Sequence, residues 1–453
     1  MRIVVIGIGK VGSTVAEYLA KEGHEVVVVD QRQSVVDWIT SRYDVLGVCG
    51  NGASVEVQKE AGINRANLVV SLTSSDEFNI LCCIIARKNG AGHVIARVRN
   101  PDYFRQMPFL QGELGLSMAV NPEMEAADAI SRMLRFPSAA KREVFAKGRL
   151  EMAEVTLPKD CLLDGVSLRE LSGKIGAQVL VCAVRRGSEV IIPTGNFVLQ
   201  GGDHINLSAT HKDMNTFFKR MGLYRDRVRS VLIVGGGRIA YYLALQLLRI
   251  GIRVKIVEHD EKTCQNLNDL LPKAEILHGD GTDQELLVEE GIGSVDACVA
   301  LTGVDEENII VSMFAGTQHV KKVITKVNRP NLLDIMHSVG IESVISPRSV
   351  TGERILRYVR AIANSRGSSI QTLYRLLDGR MEALEFEVGP NAHFVRKTLQ
   401  ELTFRKGVLI AGIVRDGRLI HPQGSDYMLP GDRVTVVTTI PGLQDLGDTL
   451  VKD

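Results

Sequence analysis

Residues 2–12 read Arg-Ile-Val-Val-Ile-Gly-Ile-Gly-Lys-Val-Gly, and residues 25–30 read Glu-Val-Val-Val-Val-Asp. An apolar β-type run ends in a glycine turn, a helical stretch follows to Glu22, and a second β-type run closes on an acid. Each part suits a dinucleotide. Gly7 allows the tight turn, Gly9 lets the backbone approach a pyrophosphate, and Gly12 lets the helix pack against the sheet. The exposed N–H groups at the helix start attract the anion. Asp30 lies 23 residues beyond Gly7, close to the spacing of about 20 at which an acid bonds the ribose hydroxyls. A carboxylate there repels a 2′-phosphate, so NAD(H) is favoured over its phosphorylated form.

The chain has 453 residues and a net charge of +1. That length implies two to four domains with real cores. The near-neutral charge gives no reason to expect nucleic acid or a lipid surface as partner. Seven cysteines contain no C-x-x-C pair, so neither a disulfide framework nor a zinc site is expected. Each is read as a small core residue, and reduced thiols fit the cytoplasm. Met1 runs straight into a strand, which argues against a signal peptide. No run of apolar residues approaches the length of about 18 needed to span a bilayer.

The opening pattern occurs twice. Val231-Leu232-Ile233-Val234-Gly235-Gly236-Gly237-Arg238-Ile239-Ala240 places Gly235, Gly237 and Ala240 each 228 positions after Gly7, Gly9 and Gly12, and Glu258 lies 228 after Asp30. Shifted by one residue, Gly50-Asn51-Gly52 matches Gly279-Asp280-Gly281. Likewise Leu72–Asn79 matches Leu301–Asn308, and Arg97 with Pro101 matches Lys326 with Pro330. In the first copy, strands are expected near 2–6, 25–30, 45–49, 68–72 and 93–98. Helices are expected near 10–22, 34–42, 54–61, 76–89 and 123–135. Alternating strands and helices describe a doubly wound parallel sheet. After each copy comes a β-rich stretch with frequent glycines, in which Pro193-Thr194-Gly195 matches Pro422-Gln423-Gly424. The fold class is therefore α/β: two Rossmann-like domains, each followed by a small α+β domain. The expected bounds are 1–137, 138–223, 224–364 and 365–453, with joins near 138–147, 224–229 and 364–369.

A ligand in such a sheet sits outside the carboxyl ends of its strands. The residues expected there are Gly7, Ile8, Gly9, Lys10 and Val11, with Gly12 behind them, then Asp30, Gln31, Asn51, Thr73, Ser74 and Arg97. The second copy supplies Gly235, Gly236, Gly237, Arg238, Ile239, Glu258, His259, Asp280, Thr302 and Lys326. Thr73 and Ser74 also suit a helix cap before Asp76, which does not exclude contact with a ligand. Arg97 can neutralise a phosphate through paired hydrogen bonds, and Lys10 and Arg238 follow their turns directly. No catalytic or metal-binding set accompanies these residues. A dehydrogenase needs an acid–base group beside the nicotinamide, yet His204, His211, His393 and His421 have no matching positions across the copies and are read as surface residues. An NAD-dependent oxidoreductase is the alternative, and turnover of NADH with a substrate panel separates the two.

At this point the chain resembles the regulator-of-potassium-conductance (RCK) proteins in their tandem form. The shared features are the G-x-G-x-x-G turn, the ribose acid, and the Thr73–Asn79 stretch with its second copy. Asn51-Gly52-Ala53, Ala96-Arg97-Val98-Arg99 and Gly281–Leu287 add to these. Each sheet copy is similar to the N-terminal RCK subdomain and each β-rich stretch to the C-terminal one. The resemblance implies a non-enzymatic, cytoplasmic regulatory subunit of a potassium uptake system. It further implies a homotetramer lying against the inner face of the membrane beneath a potassium-translocating subunit of the TrkH type. NAD⁺ or NADH is the implied cofactor, with ATP and ADP in several members. A nucleotide gripped by Asp30 and Arg97 would bridge separate edges of the sheet. Ligands differing in phosphate arrangement could then favour different angles between units. Residues 123–134 keep Met124, Ala127, Ile130, Met133 and Leu134 at helical spacing, and 350–362 do the same with Ile355, Leu356, Val359 and Ile362. Both suit an exchanged or interface helix as well as a core helix.

Overall fold

The computed structural model describes the chain apart from residues 136–140, 188, 224–227, 330–331, 333–335, 337–340, 342, 365–369, 378–379, 391, 441, 444 and 452–453. Pro330, Gly379, residues 138–140, 224–227 and 365–369 lie outside the described residues, whereas 141–147 of the first expected join form a strand and the start of a 3₁₀ turn instead. Two compact units are present, one from 1–134 with 228–359 and one from 135–227 with 360–453.

In unit one the first copy runs β1 (Arg2–Ile6), α1 (Lys10–Lys21), β2 (Glu25–Asp30), α2 (Gln33–Thr40), β3 (Leu46–Cys49), α3 (Val55–Glu60), β4 (Leu68–Ser71), α4 (Asp76–Lys88) and β5 (His93–Arg97). It continues through α5 (Pro101–Arg105), α6 (Met107–Leu114), β6 (Met118–Val120) and α7 (Pro122–Arg135). The strands form one sheet in the order β3-β2-β1-β4-β5-β6, all parallel. Both faces are covered by helices, so the central strands are near-continuous apolar runs rather than alternating ones. Ile3, Val4, Val5, Val28, Val69 and Val70 are wholly buried. Each such side chain contributes roughly 1.5–3 kcal/mol of burial. The strand order reverses between β1 and β4, which opens a crevice at their carboxyl ends. The sequence reading found no elements between β5 and α7. The chain there makes two short helices, the first capped by Asn100, whose side chain accepts from the Asp102 N–H.

The second copy repeats the plan. Its described elements are β12 (Ser230–Val234), α10 (Arg238–Arg249), β13 (Arg253–Glu258), α11 (Glu261–Leu270), β14 (Glu275–His278), α12 (Gln284–Glu289), β15 (Ala297–Ala300), α13 (Asp305–Thr317), β16 (Lys322–Lys326), β17 (Val344–Ile345) and α14 (Pro347–Asn364). The sheet order β14-β13-β12-β15-β16-β17 is that of the first.

The two copies are interlocked by their last helices. Ala126, Ala127, Ala129, Ile130 and Leu134 of α7 belong to the same buried cluster as Val231, Ile233, Ala240 and Leu243 of the second copy. In return α14 lies against α1: a Cβ at Gly352 would come within 2.9 Å of the Tyr18 ring, and the Tyr358 hydroxyl is 3.2 Å from His93 Nδ1. Of the two readings open for these helices, exchange is the one observed.

Unit two holds the β-rich stretches. Strands β7 (Lys141–Phe145), β8 (Leu150–Thr156), β9 (Val179–Arg186), β10 (Glu189–Ile191) and β11 (His204–Ala209) accompany helices α8 (Leu171–Ile175) and α9 (His211–Arg220). The second stretch has β18 (Ile370–Leu376), β19 (Met381–Glu387), β20 (Val408–Arg415), β21 (Arg418–Ile420) and β22 (Arg433–Thr438). Each makes a five-stranded sheet of antiparallel pairs. Phe145, Leu150 and Met152 of one sheet share a core with Met381, Ala383 and Val437 of the other. The same salt bridge braces both stretches, Arg186 to Asp203 at 2.7 Å and Arg415 to Asp432 at 2.7 Å.

Cys82, Cys83, Cys182, Cys264 and Cys298 are buried, but Cys161 is partly exposed and Cys49 is exposed. The core reading of cysteine fails at Cys49 because β3 is an edge strand. His211 and His393 are exposed, whereas His204 and His421 are half-buried, and burial holds His421 below its ordinary pKa.

Candidate functional site

The crevice above β1 and β4 is a cleft of about 680 Å³, within the range of small-molecule sites. Gly7, Gly9, Asp30, Gln31, Thr73, Ser74 and Arg97 line it, joined by Arg32 and Phe78, which the sequence reading did not select. Lys10, Val11, Gly12 and Asn51 stand outside that lining. Lys10 is exposed at the start of α1, and Asn51 uses its Oδ1 to accept the Ala53 N–H at 2.9 Å. Ile8 turns its side chain inward and is 4% exposed, so it acts through its backbone.

The glycines differ in what they do. Gly7 has a φ of +87°, and a Cβ there would meet the Thr73 N at 2.8 Å. A Cβ on Gly12 would lie 2.0 Å from the Gly7 carbonyl oxygen, so this glycine sets the distance between helix and turn. A Cβ on Gly9 would meet nothing within 4 Å. Gly9 is also the N-cap of α1 and supplies no side-chain cap. The first N–H groups of the helix therefore have no intrahelical acceptor and carry the positive end of its dipole.

Asp30 is fixed on the opposite lip. Its Oδ2 accepts the Ile8 N–H at 2.9 Å and its Oδ1 the Arg32 N–H at 3.1 Å. Each oxygen keeps a further lone pair for hydroxyl donors. On the third side, Asn79 is fully buried in α4. Its Oδ1 accepts from the Thr73 N–H and hydroxyl, both at 2.8 Å, and from the Ser71 hydroxyl at 3.0 Å. Its Nδ2 donates to the carbonyls of Thr73 and Arg97 at 3.2 and 3.1 Å. One amide thus fastens the end of β4 to the end of β5. The α4 cap is Ser75, whose hydroxyl accepts the Phe78 N–H at 3.1 Å. Thr73 and Ser74 are left facing the cleft because the cap falls one residue later. Asp76 Oδ2 accepts the N–H groups of Arg99 and Asn100, both at 2.8 Å. The Arg97 guanidinium is held below its ordinary range, first by burial and then by repulsion from Arg99, with Arg238 of the second copy adding to it. Its Nε is buried without a hydrogen-bond partner. An anion entering here would meet a desolvated cation.

The second copy is built alike, with Ala240, Asp280, Gly303 and Lys326 in place of Gly12, Asn51, Ser74 and Arg97, and with three further changes. Gly235 has a φ of +99°, and its Cβ position lies 2.8 Å from the Thr302 N. Asn308 repeats Asn79, accepting the Thr302 N–H at 2.7 Å and donating to the Lys326 carbonyl at 3.1 Å. Burial holds Lys326 below its usual pKa, with repulsion from Lys10 as a lesser cause, and its Nζ reaches the Leu301 carbonyl at 3.2 Å. The first change is Glu258, one methylene longer than Asp30. It bends back so that Oε2 accepts the Gly236 N–H at 2.6 Å. Gly236 makes room for it, since a Cβ there would come within 3.0 Å of the Glu258 side chain. Secondly, His259 Nδ1 stands 2.8 Å from Glu258 Oε1. Thirdly, Val304 replaces Ser75, leaving α13 without a side-chain cap. Arg238 is exposed and Ile239 is buried. Asp280 is held below the ordinary carboxylate range, first by the Thr282 N–H and then by its hydroxyl.

Besides Arg32 and Phe78, the sequence reading missed Asn79, Asn308, Asp76 and Asp305. Asp305 accepts the Asn328 and Arg329 N–H groups at 2.9 and 3.0 Å. All four stood in the repeated Leu72–Asn79 stretch, so their recurrence was the available signal.

Fold and site define a tandem protein in which two dinucleotide-fold modules, interlocked by exchanged helices, accompany a pair of small β modules. The TrkA-N domain family matches residues 3–122 and 231–347, and the TrkA-C domain family matches 152–222 and 383–450. The chain belongs to the TrkA family of Trk-system potassium uptake proteins. A relative from Methanosarcina mazei, Trk system potassium uptake protein TrkA homolog 1, is 32% identical and covers 96% of this chain and 97% of its own. The Archaeoglobus fulgidus homolog is 31% identical, with the same coverage. The Haemophilus influenzae protein is 28% identical, covering 96% and 95%. Among solved structures, the GsuK RCK domain superposes with a TM-score of 0.61 at 18% identity, covering 96% of this chain and 92% of that one. The GsuK channel bound to NAD gives the same TM-score and identity, covering 96% and 76%. At that identity the likeness concerns the fold. Among the described residues no helix is long and apolar enough to cross a membrane.

Proposed function

We propose that this chain is the nucleotide-binding regulatory subunit of a potassium uptake system, with NAD⁺ or NADH held in the glycine-turn clefts. ATP and ADP would share the adenosine diphosphate grip. In the first cleft Asp30 would accept the ribose hydroxyls, the N–H groups of Gly9 to Val11 would face the pyrophosphate, and Arg97 would neutralise it with Thr73 and Ser74 beside it. Gly235 to Ile239, Glu258, Thr302 and Lys326 would do the same in the second, with Asn51 and Asp280 at the rims. The observation that carries this reading is Asp30, 12% exposed at its side chain and braced by the Ile8 N–H, opposite a half-buried Arg97 whose buried Nε lacks a partner.

Four modules with bounds near 137, 223 and 364 would then divide the work. The first and third bind, and the second and fourth carry the response. The chain acts without chemistry on its ligand, as a cytoplasmic homotetramer beneath a TrkH-type potassium-translocating subunit. Relatives named as potassium uptake proteins over nearly the whole chain support this assignment. So does the shared fold of a channel solved with NAD. Regulation requires that ligands favour one arrangement of the modules over another by differential affinity. Calorimetric titration of NADH into the wild type and Asp30→Ala tests the binding step. A loss of tenfold or more in affinity at one site is expected, and an unchanged isotherm refutes the assignment. Turnover of the bound NADH would favour an oxidoreductase instead.

A further inference from the structure

The two clefts are linked on one side by a buried tyrosine that the binding reading does not use. Tyr242 lies in the second turn of α10, the helix that starts at the second glycine turn, and is 9% exposed. Its hydroxyl donates to the Arg99 carbonyl of the first copy at 3.1 Å and accepts from Asn121 Nδ2 at 3.2 Å. Asn121 is 1% exposed, and its Oδ1 accepts the Met124 N–H at 3.0 Å at the start of the exchanged helix α7. Arg99 is tied in turn to the first cleft. Its N–H is held by Asp76, and its guanidinium donates to the carbonyl of Ser74, which lines the cleft. A continuous path therefore runs from Ser74 and Asp76 through Arg99 and Tyr242 to the helix whose N-terminus is the second turn.

The equivalent positions of the other copy do not make the same contacts. The residue of the first copy equivalent to Tyr242 is Thr14, 228 positions earlier. Its hydroxyl bonds back to the Lys10 carbonyl of its own helix at 3.1 Å. Asn121 is likewise Ser346 in the second copy, in Ile345-Ser346-Pro347. Two otherwise repeated modules differ here, at a joint where a buried hydroxyl must keep its partners or lose their stabilisation.

We propose that Tyr242 is a positioning residue that couples the two clefts, so that filling the first shifts α10 and changes the affinity of the second. The proposal rests on the reading of both clefts as nucleotide sites. Linkage makes the effect reciprocal in affinity, and a spatial path becomes a coupling path only if both sites bias it.

The test is calorimetric titration of the full chain with ADP. Asp30→Ala and Glu258→Ala give the single-site affinities, and the wild type gives the affinities when both sites fill. The expected wild-type ratio between free and coupled affinity is about fivefold or more, the lower end of typical couplings. Tyr242→Phe keeps the ring and its packing but removes the hydroxyl. It should bring that ratio below about twofold while leaving both single-site affinities unchanged, a result that a merely structural tyrosine would not give. Asn121→Ser, which takes the second copy's residue and keeps a capping oxygen, should do the same by an independent route. An unchanged ratio in both variants, or independent sites in the wild type, overturns the coupling while leaving the nucleotide reading intact. Absence of ADP binding in the wild type removes both.

Discussion

Replacing Asn79 with alanine should damage the first cleft without touching a single lining atom. The amide makes five hydrogen bonds from a fully buried position: three to its Oδ1 and two from its Nδ2. The two hydroxyls can turn to other acceptors. The Thr73 N–H and the carbonyls of Thr73 and Arg97 cannot, because their directions are set by the strand ends. At about 1–3 kcal/mol for each buried group left unpaired, non-additivity brings the expected loss to roughly 3–5 kcal/mol, the upper range for one substitution. The strand ends bearing Thr73 and Arg97 would no longer be held together, so NADH affinity at that site should fall about tenfold, or ~1.4 kcal/mol. The chain holds two units, so a single global unfolding energy is not well defined. Hydrogen exchange across residues 71–79, followed by mass spectrometry, reads the local opening instead, and calorimetry reads the binding. Asn308→Ala is the internal control: it should open residues 301–308 and weaken the Glu258 site while the Asp30 site is spared. Full protection at 71–79 together with wild-type affinity in Asn79→Ala would refute the reasoning.

Two further outcomes are expected. Gly12→Ala puts a Cβ 2.0 Å from the Gly7 carbonyl oxygen and should cost about 1–3 kcal/mol through overpacking. It should also weaken NADH at the Asp30 site even though Ala240 stands at the corresponding place in the second copy; a wild-type isotherm and thermal midpoint would show that the turn yields freely. His421 is held below its ordinary pKa by burial, opposed by Asp213. The unfolded chain therefore takes up a proton at about pH 6.5, where the folded chain does not. Stability of unit two is retained above that pH and lost as the pH falls below it. His421→Gln should flatten this dependence in thermal melts between pH 7 and pH 5, and an unaltered slope would count against it.

Much of unit one is legible in the chain order. Val4, Val5, Val27 and Val28 are apolar without alternation because helices cover both faces of a parallel sheet, and Gly7 requires a positive φ that the sequence announces by glycine. The interval of 228 residues makes each feature visible twice, so Asp30 and Glu258 pair by sequence alone. The β modules show themselves only as texture, since short strands with glycines fix neither their pairing nor their order. The cap was misplaced because Thr73, Ser74 and Ser75 are chemically alike, and the choice depends on where β4 stops bonding.

By itself, then, the amino-acid order determines two copies of a dinucleotide turn, the acid that answers each, and the helical spacing of α7 and α14. Spacing states that a helix has an apolar face, but not which sheet that face meets. Tertiary structure decided that α7 packs among Ile233, Ala240 and Leu243 of the other copy. It also decided that Asn79, held at the end of β4, reaches the Arg97 carbonyl 18 residues further along the chain, and that Tyr242 meets Arg99 across the joint. Dispersion and burial are indifferent to chain connectivity, so an apolar stripe can satisfy its own sheet or a neighbour's. A buried amide or hydroxyl finds its partners only after the backbone has fixed where they are.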